Sequence, residues 1–428
     1  MKRYLLATIM MCAGVVSSCS EKNTTAPDLG FLQIDPRTVE VFIPFDDFVD
    51  DVQVFGGFGS AADLGYGVVA LDFGGLSART LLLLSDFPSD DGGEVSLVGG
   101  RVVLVFDTVR GTLDTPVGVE VFDVSEDWHT ATVTWEVAVD TAGDRRFWTQ
   151  PGGGSTTSLG VGSFDPFGFR RQDALAALVD SVSIPIDSAA VAAWENPTGG
   201  ARGLLVAAAD PGAFLRLVNM KLVLSTVGAS SPDVVSEVQV PVQGVSYITD
   251  PAPAAPVGWL RVGGAPSWRS VITMSIPLSV DGTADLCGTV GCQVDLTEVD
   301  LNLAELVLTT RETESAFQPE DVTRMDFRRV LNMELLPKSP LGATLVPFVK
   351  SVPPELFSTQ TGTLVGVSLT DFVAGILSDD AETGTVALAL LSAVEPHMNG
   401  FASFEGGGGA GAPVLRLLFT IANGVGLP

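Results

Sequence analysis

From Phe31 onward the chain is a succession of short apolar runs, interrupted about every ten residues by Gly, Pro, Asp or Ser. Gly67-Val68-Val69-Ala70-Leu71-Asp72-Phe73 and Val102-Val103-Leu104-Val105-Phe106 are such runs. Apolar and polar positions alternate through Val117–Val124 and again through Thr132–Val137, the pattern of a strand with one buried and one wet face. Helical spacing is confined to three short pieces, Gln172 to Val182, Asp187 to Trp194 and Leu369 to Leu377, which read as connectors. The expected fold is therefore all-β, an antiparallel sandwich or barrel with short connecting helices.

Laying the two halves of the chain side by side shows a repeat with a period of roughly 190 to 200 residues. Gly74-Gly75, Arg79-Thr80 and Leu81–Leu84 are answered by Gly263-Gly264, Arg269-Ser270 and Val271–Met274. Val95-Ser96-Leu97 with Arg101–Leu104 matches Val299-Asp300-Leu301 with Glu305–Leu308. Val182–Asp187 matches Val367–Phe372, and Gly212–Leu217 matches Gly411–Leu417. Four blocks in one order imply two diverged copies of one sandwich. The turn-rich stretch Ser225–Asp233 lies between them, so the expected division is residues 31–228 and residues 229–428.

A length of 428 residues accommodates two such cores. Hydrophobic residues make up 46% of the chain and charged residues 17%, which excludes disorder. The net charge of −28 repels phosphates, so nucleic acid is excluded as a partner and an anionic membrane surface is disfavoured.

The first residues are different in kind. Lys2 and Arg3 precede an apolar run from Tyr4 to Val16, the layout of a secretory signal peptide and too short for a spanning helix. Its ending, Val16-Ser17-Ser18-Cys19, resembles the lipobox of bacterial lipoproteins. The resemblance implies removal of residues 1–18, acylation of Cys19, and a polar tether over residues 19–30 to the lipid bilayer. Ser20 lacks the aspartate that in such lipoproteins signals inner-membrane retention, so the expected location is the outer membrane of a cell envelope. Of four cysteines, Cys12 leaves with the leader and Cys19 takes lipid. Cys287 and Cys292 remain, and in an oxidising compartment so close a pair is expected to form a disulfide.

Three segments of the first copy, Arg79–Asp86, Val133-Thr134-Trp135 with Trp148–Gly153, and Gly203–Val206, resemble the DNRLRE domains of secreted bacterial proteins. That resemblance implies jelly-roll sandwiches akin to carbohydrate-binding modules, further diverged in the second copy, which lacks the Thr-Trp and Pro-Gly-Gly segments.

Candidate chemistry is sparse. His129 and His397 are the two histidines and occupy non-corresponding positions, and no Gly-x-Ser-x-Gly elbow is present. Gly406, Gly408 and Gly411 satisfy a dinucleotide spacing, but the following segment reads as a strand, leaving no helix N-terminus for a pyrophosphate. Asp46, Asp47, Asp50 and Asp51, and separately Asp86, Asp90, Asp91 and Glu94, offer crowded carboxylates that either bind a structural calcium ion or form a solvated surface. Trp148, Trp128 and Tyr66 are candidates for stacking on a sugar, the alternative being core packing, which is the reading for Trp135. The repeated arginines, Arg79 with Arg269 and Arg216 with Arg416, read as structural, each in a buried ion pair or a strand-end hydrogen bond to backbone carbonyls. With 51 acidic residues, sequence cannot single out a hydrolytic pair. The expectation is a non-catalytic binding or envelope-structural lipoprotein, with polysaccharide or another envelope protein as partner; the alternative is a secreted polysaccharide hydrolase or lyase.

Overall fold

The computed structural model describes residues 37–56, 61–85, 95–110, 116–165, 180–193, 203–250, 254–264, 267–282, 287, 292–336, 339–378, 385–395, 400–407 and 409–421. The signal peptide, Cys19 and the tether lie outside them, as do Asp86, Asp90, Asp91, Glu94, His397 and Gly408.

The chain opens with two strands, β1 (Arg37–Ile43) and β2 (Val49–Phe55), joined by the single turn α1 (Phe45–Phe48). Next come β3 (Gly67–Phe73), β4 (Leu76–Leu84), β5 (Val95–Arg110), β6 (Val117–Val124), the hairpin β7 (Val137–Thr141) and β8 (Asp144–Phe147), β9 (Thr156–Phe164) and β10 (Asp180–Ile186). The short helix α2 (Ser188–Ala193) leads to β11 (Gly203–Ala208) and β12 (Ala213–Gly228). Two further strands follow, β13 (Ser231–Val240) and β14 (Val242–Thr249). The remainder comprises β15 (Trp259–Gly263), β16 (Arg269–Met274), β17 (Ser279–Asp281), β18 (Gln293–Asp295), β19 (Asp300–Arg311), β20 (Thr323–Val330), β21 (Leu341–Thr344), β22 (Lys350–Val352) and β23 (Leu364–Ser368). It ends with helix α3 (Thr370–Ser378), β24 (Val386–Ser392), β25 (Phe401–Glu405) and β26 (Val414–Ile421). The fold is all-β and sandwich-like, as the alternation implies. Two expected elements differ. Asp180–Val182 belong to β10 rather than to a helix, the rest of that stretch lying outside the described residues. Thr132–Glu136 form turns rather than a strand, because Thr132 and Val133 donate back to the His129 carbonyl and Val137 donates to Thr134 Oγ1. Among the described residues no helix is long and apolar enough to cross a membrane.

In sandwich 1 a single sheet runs β10-β5-β12-β3-β4-β11-β6-β9, with β13 on β12 and β14 on β4. Val102, Leu104 and Leu222 of β5 and β12 pack with Leu82, Val119 and Leu204 of β4, β6 and β11 in one buried core. Sandwich 2 has two sheets. One runs β1-β26-β19-β25-β15 with β23 on β19; the other runs β2-β16-β24-β20-β21 with β22 on β20. Their core contains Leu306, Phe327, Leu388, Phe404 and Phe419.

Each repeated block has the same place in both. The pair β5–β12 corresponds to β19–β26, β10 with α2 to β23 with α3, and β4–β11 to β16–β24. Gly74, Gly75, Gly263 and Gly264 all have φ between 59° and 89°, which explains glycine at both turns. Buried Thr80 donates to the Val68 carbonyl at 2.9 Å, and buried Ser270 to the Arg261 carbonyl at 2.9 Å, each hydroxyl tying a strand to the one before it.

The sheets do not follow the division expected at residue 228. Strands β13 and β14 pair with β12 and β4 of the first sandwich, while β1 and β2, at the other end of the chain, pair with β26 and β16 of the second. Sandwich 1 is thus β3 to β14, and sandwich 2 is β15 to β26 completed by β1 and β2. Glu40-Val41-Phe42-Ile43-Pro44 and Glu237-Val238-Gln239-Val240-Pro241 mark the two pairs as equivalent arms. In each arm the buried Ile43 or Val240 precedes a proline, and the chain then crosses to another partner strand. Proline lacks an N–H and suits a point where ladder bonding stops.

The two sandwiches meet through a third apolar cluster. Val68, Ala70, Leu76, Phe214 and Tyr247 from the first pack with Trp268, Ala316, Phe317 and Phe401 from the second. An ion pair between Arg110 and Glu320 also joins them.

Candidate functional site

Between β6 and β9 sandwich 1 carries a lobe, residues 125–155, built on the β7–β8 hairpin. Among the described residues, sandwich 2 has the short strands β21 and β22 in the equivalent place beside β20. The lobe sits on the outer face of β4 and β11, where Trp128, Val133, Ala138 and Trp148 bury Leu81, Leu205 and Ile248. Its polar joints are local: Trp148 Nε1 donates to the Thr134 carbonyl at 3.0 Å, and Gly152 N to the Trp135 carbonyl at 2.7 Å.

The end of the lobe depends on three successive glycines at positive φ, Gly152, Gly153 and Gly154. A Cβ on Gly152 would lie 2.9 Å from the Trp135 ring, one on Gly153 2.3 Å from Leu205, and one on Gly154 2.3 Å from the Glu126 carboxylate. Such contacts leave no room for a side chain. Glu126 caps the loop: Thr149 N and Ser155 N donate to it at 3.0 and 2.7 Å, and the Thr149 hydroxyl also donates. Burial pushes the Glu126 carboxyl up, but these donors outweigh it and hold the pKa below the usual glutamate range.

Arg79 pins the lobe to the sheet. Its Nη1 donates to the Gly152 carbonyl at 2.8 Å, and its guanidinium lies 5.1 Å from the centre of the half-buried Trp135 ring. Burial lowers the Arg79 pKa, opposed by the nearby charge of Asp250.

Around this pair is a cavity of about 500 Å³, the size of a small-molecule site. Trp135, Phe122, Leu71 and Pro151 supply apolar wall, while Arg79, Glu120, Gln150, Asp250, Ser77 and Thr156 supply hydrogen-bonding groups. An aromatic plate beside donors and acceptors of both signs can stack on a pyranose face and bond its hydroxyls. A second and more open cavity, about 640 Å³, lies on sandwich 2, lined by Trp259, Arg311, Glu405 and several threonines. There the Arg311 guanidinium covers the Trp259 ring at 4.0 Å while pairing with Glu405.

The sequence candidates are distributed otherwise than expected. Trp128 and Trp148 are 6% and 5% exposed and belong to the packing beneath the lobe, so neither offers a face to a ligand. Tyr66 lies apart from them, stacked on Tyr247 at 6.1 Å under the Arg216 guanidinium. Asp46, Asp47, Asp50 and Asp51 are all exposed; Asp50 accepts from Ser275 and Asp51 from Gln53. Among the described residues no group of three or more His, Cys, Asp or Glu side chains gathers in one place. His129 is exposed, and Gly406 and Gly411 lie in the connection from β25 to β26. Cys287 and Cys292 are joined as a disulfide.

Of the repeated arginines, Arg79 bonds the Gly152 carbonyl and the other three make ion pairs. Arg216 of β12 is bidentate to Asp107 of β5, both contacts 2.7 Å, and Arg416 of β26 reaches Glu305 of β19 at 2.9 Å and Glu40 at 2.7 Å. Arg269 pairs with Glu395. Sequence reasoning missed Arg79, Glu120, Gln150 and Asp250 as one constellation. The available signal was Thr134-Trp135 with Pro151–Gly154, two segments that meet at the Gly152–Trp135 hydrogen bond.

No protein-family model matches the chain, and no curated protein matches its sequence. Among solved structures it is similar to the C-terminal domain of the AgI/II polypeptide BspA of Streptococcus agalactiae, at 7% identity and a TM-score of 0.16, over 86% of this chain and 98% of that one. It is also similar to the C-terminal domain of the antigen I/II-family protein AspA of Streptococcus pyogenes, at 7% identity and a TM-score of 0.16, over 89% and 98% of the two chains. Likeness this slight carries no functional argument.

Proposed function

We propose that the mature chain is a non-catalytic binding module of the cell envelope, tethered through acylated Cys19, and that it takes a saccharide in the cavity beside Trp135. The observation that supports this is the pairing of a half-buried indole with Arg79, Glu120, Gln150 and Asp250 around about 500 Å³ on sandwich 1. A second reading, hydrolysis or cleavage of polysaccharide, draws on the two carboxylates Glu120 and Asp250 lining the same cavity. Glu120 already accepts a hydrogen bond from Ser158 Oγ at 2.5 Å, and Arg79 lies close enough to Asp250 to feel its charge, which favours binding over acid chemistry.

A glycan array separates the readings. The protein should be retained on at least one saccharide, and both Trp135→Ala and Gln150→Ala should weaken retention about tenfold, the effect of roughly 1.4 kcal/mol. Gln150 is exposed, so its variant tests contact without disturbing the lobe. Retention on no glycan would overturn the binding reading. Release of new reducing ends, abolished in Glu120→Gln, would establish the hydrolase instead.

A further inference from the structure

The sequence copies and the folded units are out of step by one arm. In sequence, copy one runs from β1 to β12 and copy two from β13 to β26; in space, the body of each copy is completed by the other copy's arm. The arm of copy two reaches sandwich 1 simply by following β12 along the chain. The arm of copy one must instead come from the opposite end to reach sandwich 2, where Arg37 sits opposite Ile421 and Ile43 opposite Leu415.

That closure covers an incomplete surface. Without β1 and β2, the edges of β26 and β16 would expose unpaired backbone groups, and the core would lose Val39, Ile43 and Phe48. Such an edge is a template for another strand, and strand addition derives its affinity from main-chain hydrogen bonds. The arm leads into β3 through the single connection between Phe55 and Ala61, and apart from Val54, which packs on the cluster shared by the two sandwiches, its strands pair with sandwich 2 alone. The contacts that hold it are the same whichever molecule supplies it.

We propose that sandwich 2 accepts the β1–β2 arm of a second copy of this chain, so that two molecules trade arms and associate. Reciprocal exchange satisfies both molecules and closes as a two-fold dimer with no new contact surface. In dilute solution the arm of the same molecule wins, because a short connection holds it at an effective concentration in the millimolar range. Exchange takes over when chains fold among crowded neighbours. The net charge of −28 opposes close approach, so salt favours the exchange.

Thr38 and Thr420 provide the test, since their hydroxyls lie 3.4 Å apart across the exposed β1–β26 edge. Full-length Thr38→Cys and Thr420→Cys chains are mixed in denaturant, refolded together at high protein concentration and then oxidised. If arms are traded, the mixture yields several-fold more covalent dimer than either variant alone, increasing with protein concentration and with salt. The single-variant samples carry the same native cysteines and set the background. A doubly substituted chain refolded in dilute solution should instead form the internal crosslink, which checks that both cysteines are compatible with folding. No more dimer in the mixture than in the single-variant samples would overturn the proposal.

Discussion

The two sandwiches occupy the same strand places and differ in what is added to them. Sandwich 1 closes with an arm that is its neighbour along the chain and carries the lobe of residues 125–155 with three of the chain's tryptophans. Sandwich 2 closes with an arm from the distant N-terminal side and carries instead a disulfide-joined loop at Cys287 and Cys292. Features present in both, such as the double glycine turn, the hydroxyl of Thr80 or Ser270 and the arginine of β12 or β26, serve the scaffold. The Trp135 cavity opens where the lobe that only one copy has meets the shared strands, the repeated Arg79 among them. Repetition therefore marks the frame, and departure from repetition marks where a ligand site can arise.

The largest test breaks the arm of sandwich 2. Phe48 is 1% exposed in its core, and the arm of sandwich 1 has no counterpart to it, since β13 passes to β14 through Pro241 alone. Phe48→Ala should cost about 3–5 kcal/mol. Hydrogen exchange should rise along β26 and β16 while β12 and β4 keep their protection. The matching change in the other arm, Val240→Ala, should cost about 2 kcal/mol and reverse the pattern. A loss below about 1 kcal/mol for Phe48→Ala would mean that β1 and β2 are ornaments on a sandwich complete without them.

The next test is confined to sandwich 1. Gly153 has φ +120° and faces Leu205 with no space for a Cβ, so Gly153→Ala should cost about 1–3 kcal/mol in backbone strain, with further loss from displacing Leu205. Exchange should increase through residues 125–155, saccharide retention should fall, and β19 and β26 should be unaffected. Unchanged exchange in the lobe would show that Pro151–Gly154 is not what holds it.

Strands such as β3 and β6 were legible because each is a short apolar or alternating run bounded by turn residues. The arms were not. β13 is exposed at almost every position, β1 at more than half, and their partners are fixed by long-range pairing that no local pattern encodes. The repeat placed the frame correctly yet put the boundary two strands too early, because the sequence copy begins at the arm and the folded body does not. At the site, local context misled in opposite directions. Trp148 follows the fully exposed β8, yet its indole turns under the lobe to bond the Thr134 carbonyl. Trp135 sits within alternating valines and threonines that imitate a strand, but Thr134 Oγ1 caps Val137 N and turns the chain, leaving the indole at the cavity wall.

The smallest effect sets two glutamates in opposition. In sandwich 1, Glu126 has a pKa below the usual glutamate range, so its contribution is present above that range and is lost as pH falls through the lowered value. In sandwich 2, burial raises the Glu395 pKa against the opposing pull of Arg269, so the folded state binds its proton more tightly than the unfolded chain does. Stability from Glu395 therefore declines as pH rises from the usual glutamate range through the raised value. Acidification should weaken the lobe of sandwich 1 while relieving the β24 end of sandwich 2. Hydrogen exchange along a pH series reads both, with Glu126→Gln and Glu395→Gln each flattening one slope and leaving the other. Glu126 is half-buried and the Glu395 side chain is 11% exposed, so the Glu126 slope should be the shallower. Slopes of the same sign in the two regions would mean that the capping hydrogen bonds to Glu126, or the burial of Glu395, do not govern their protons.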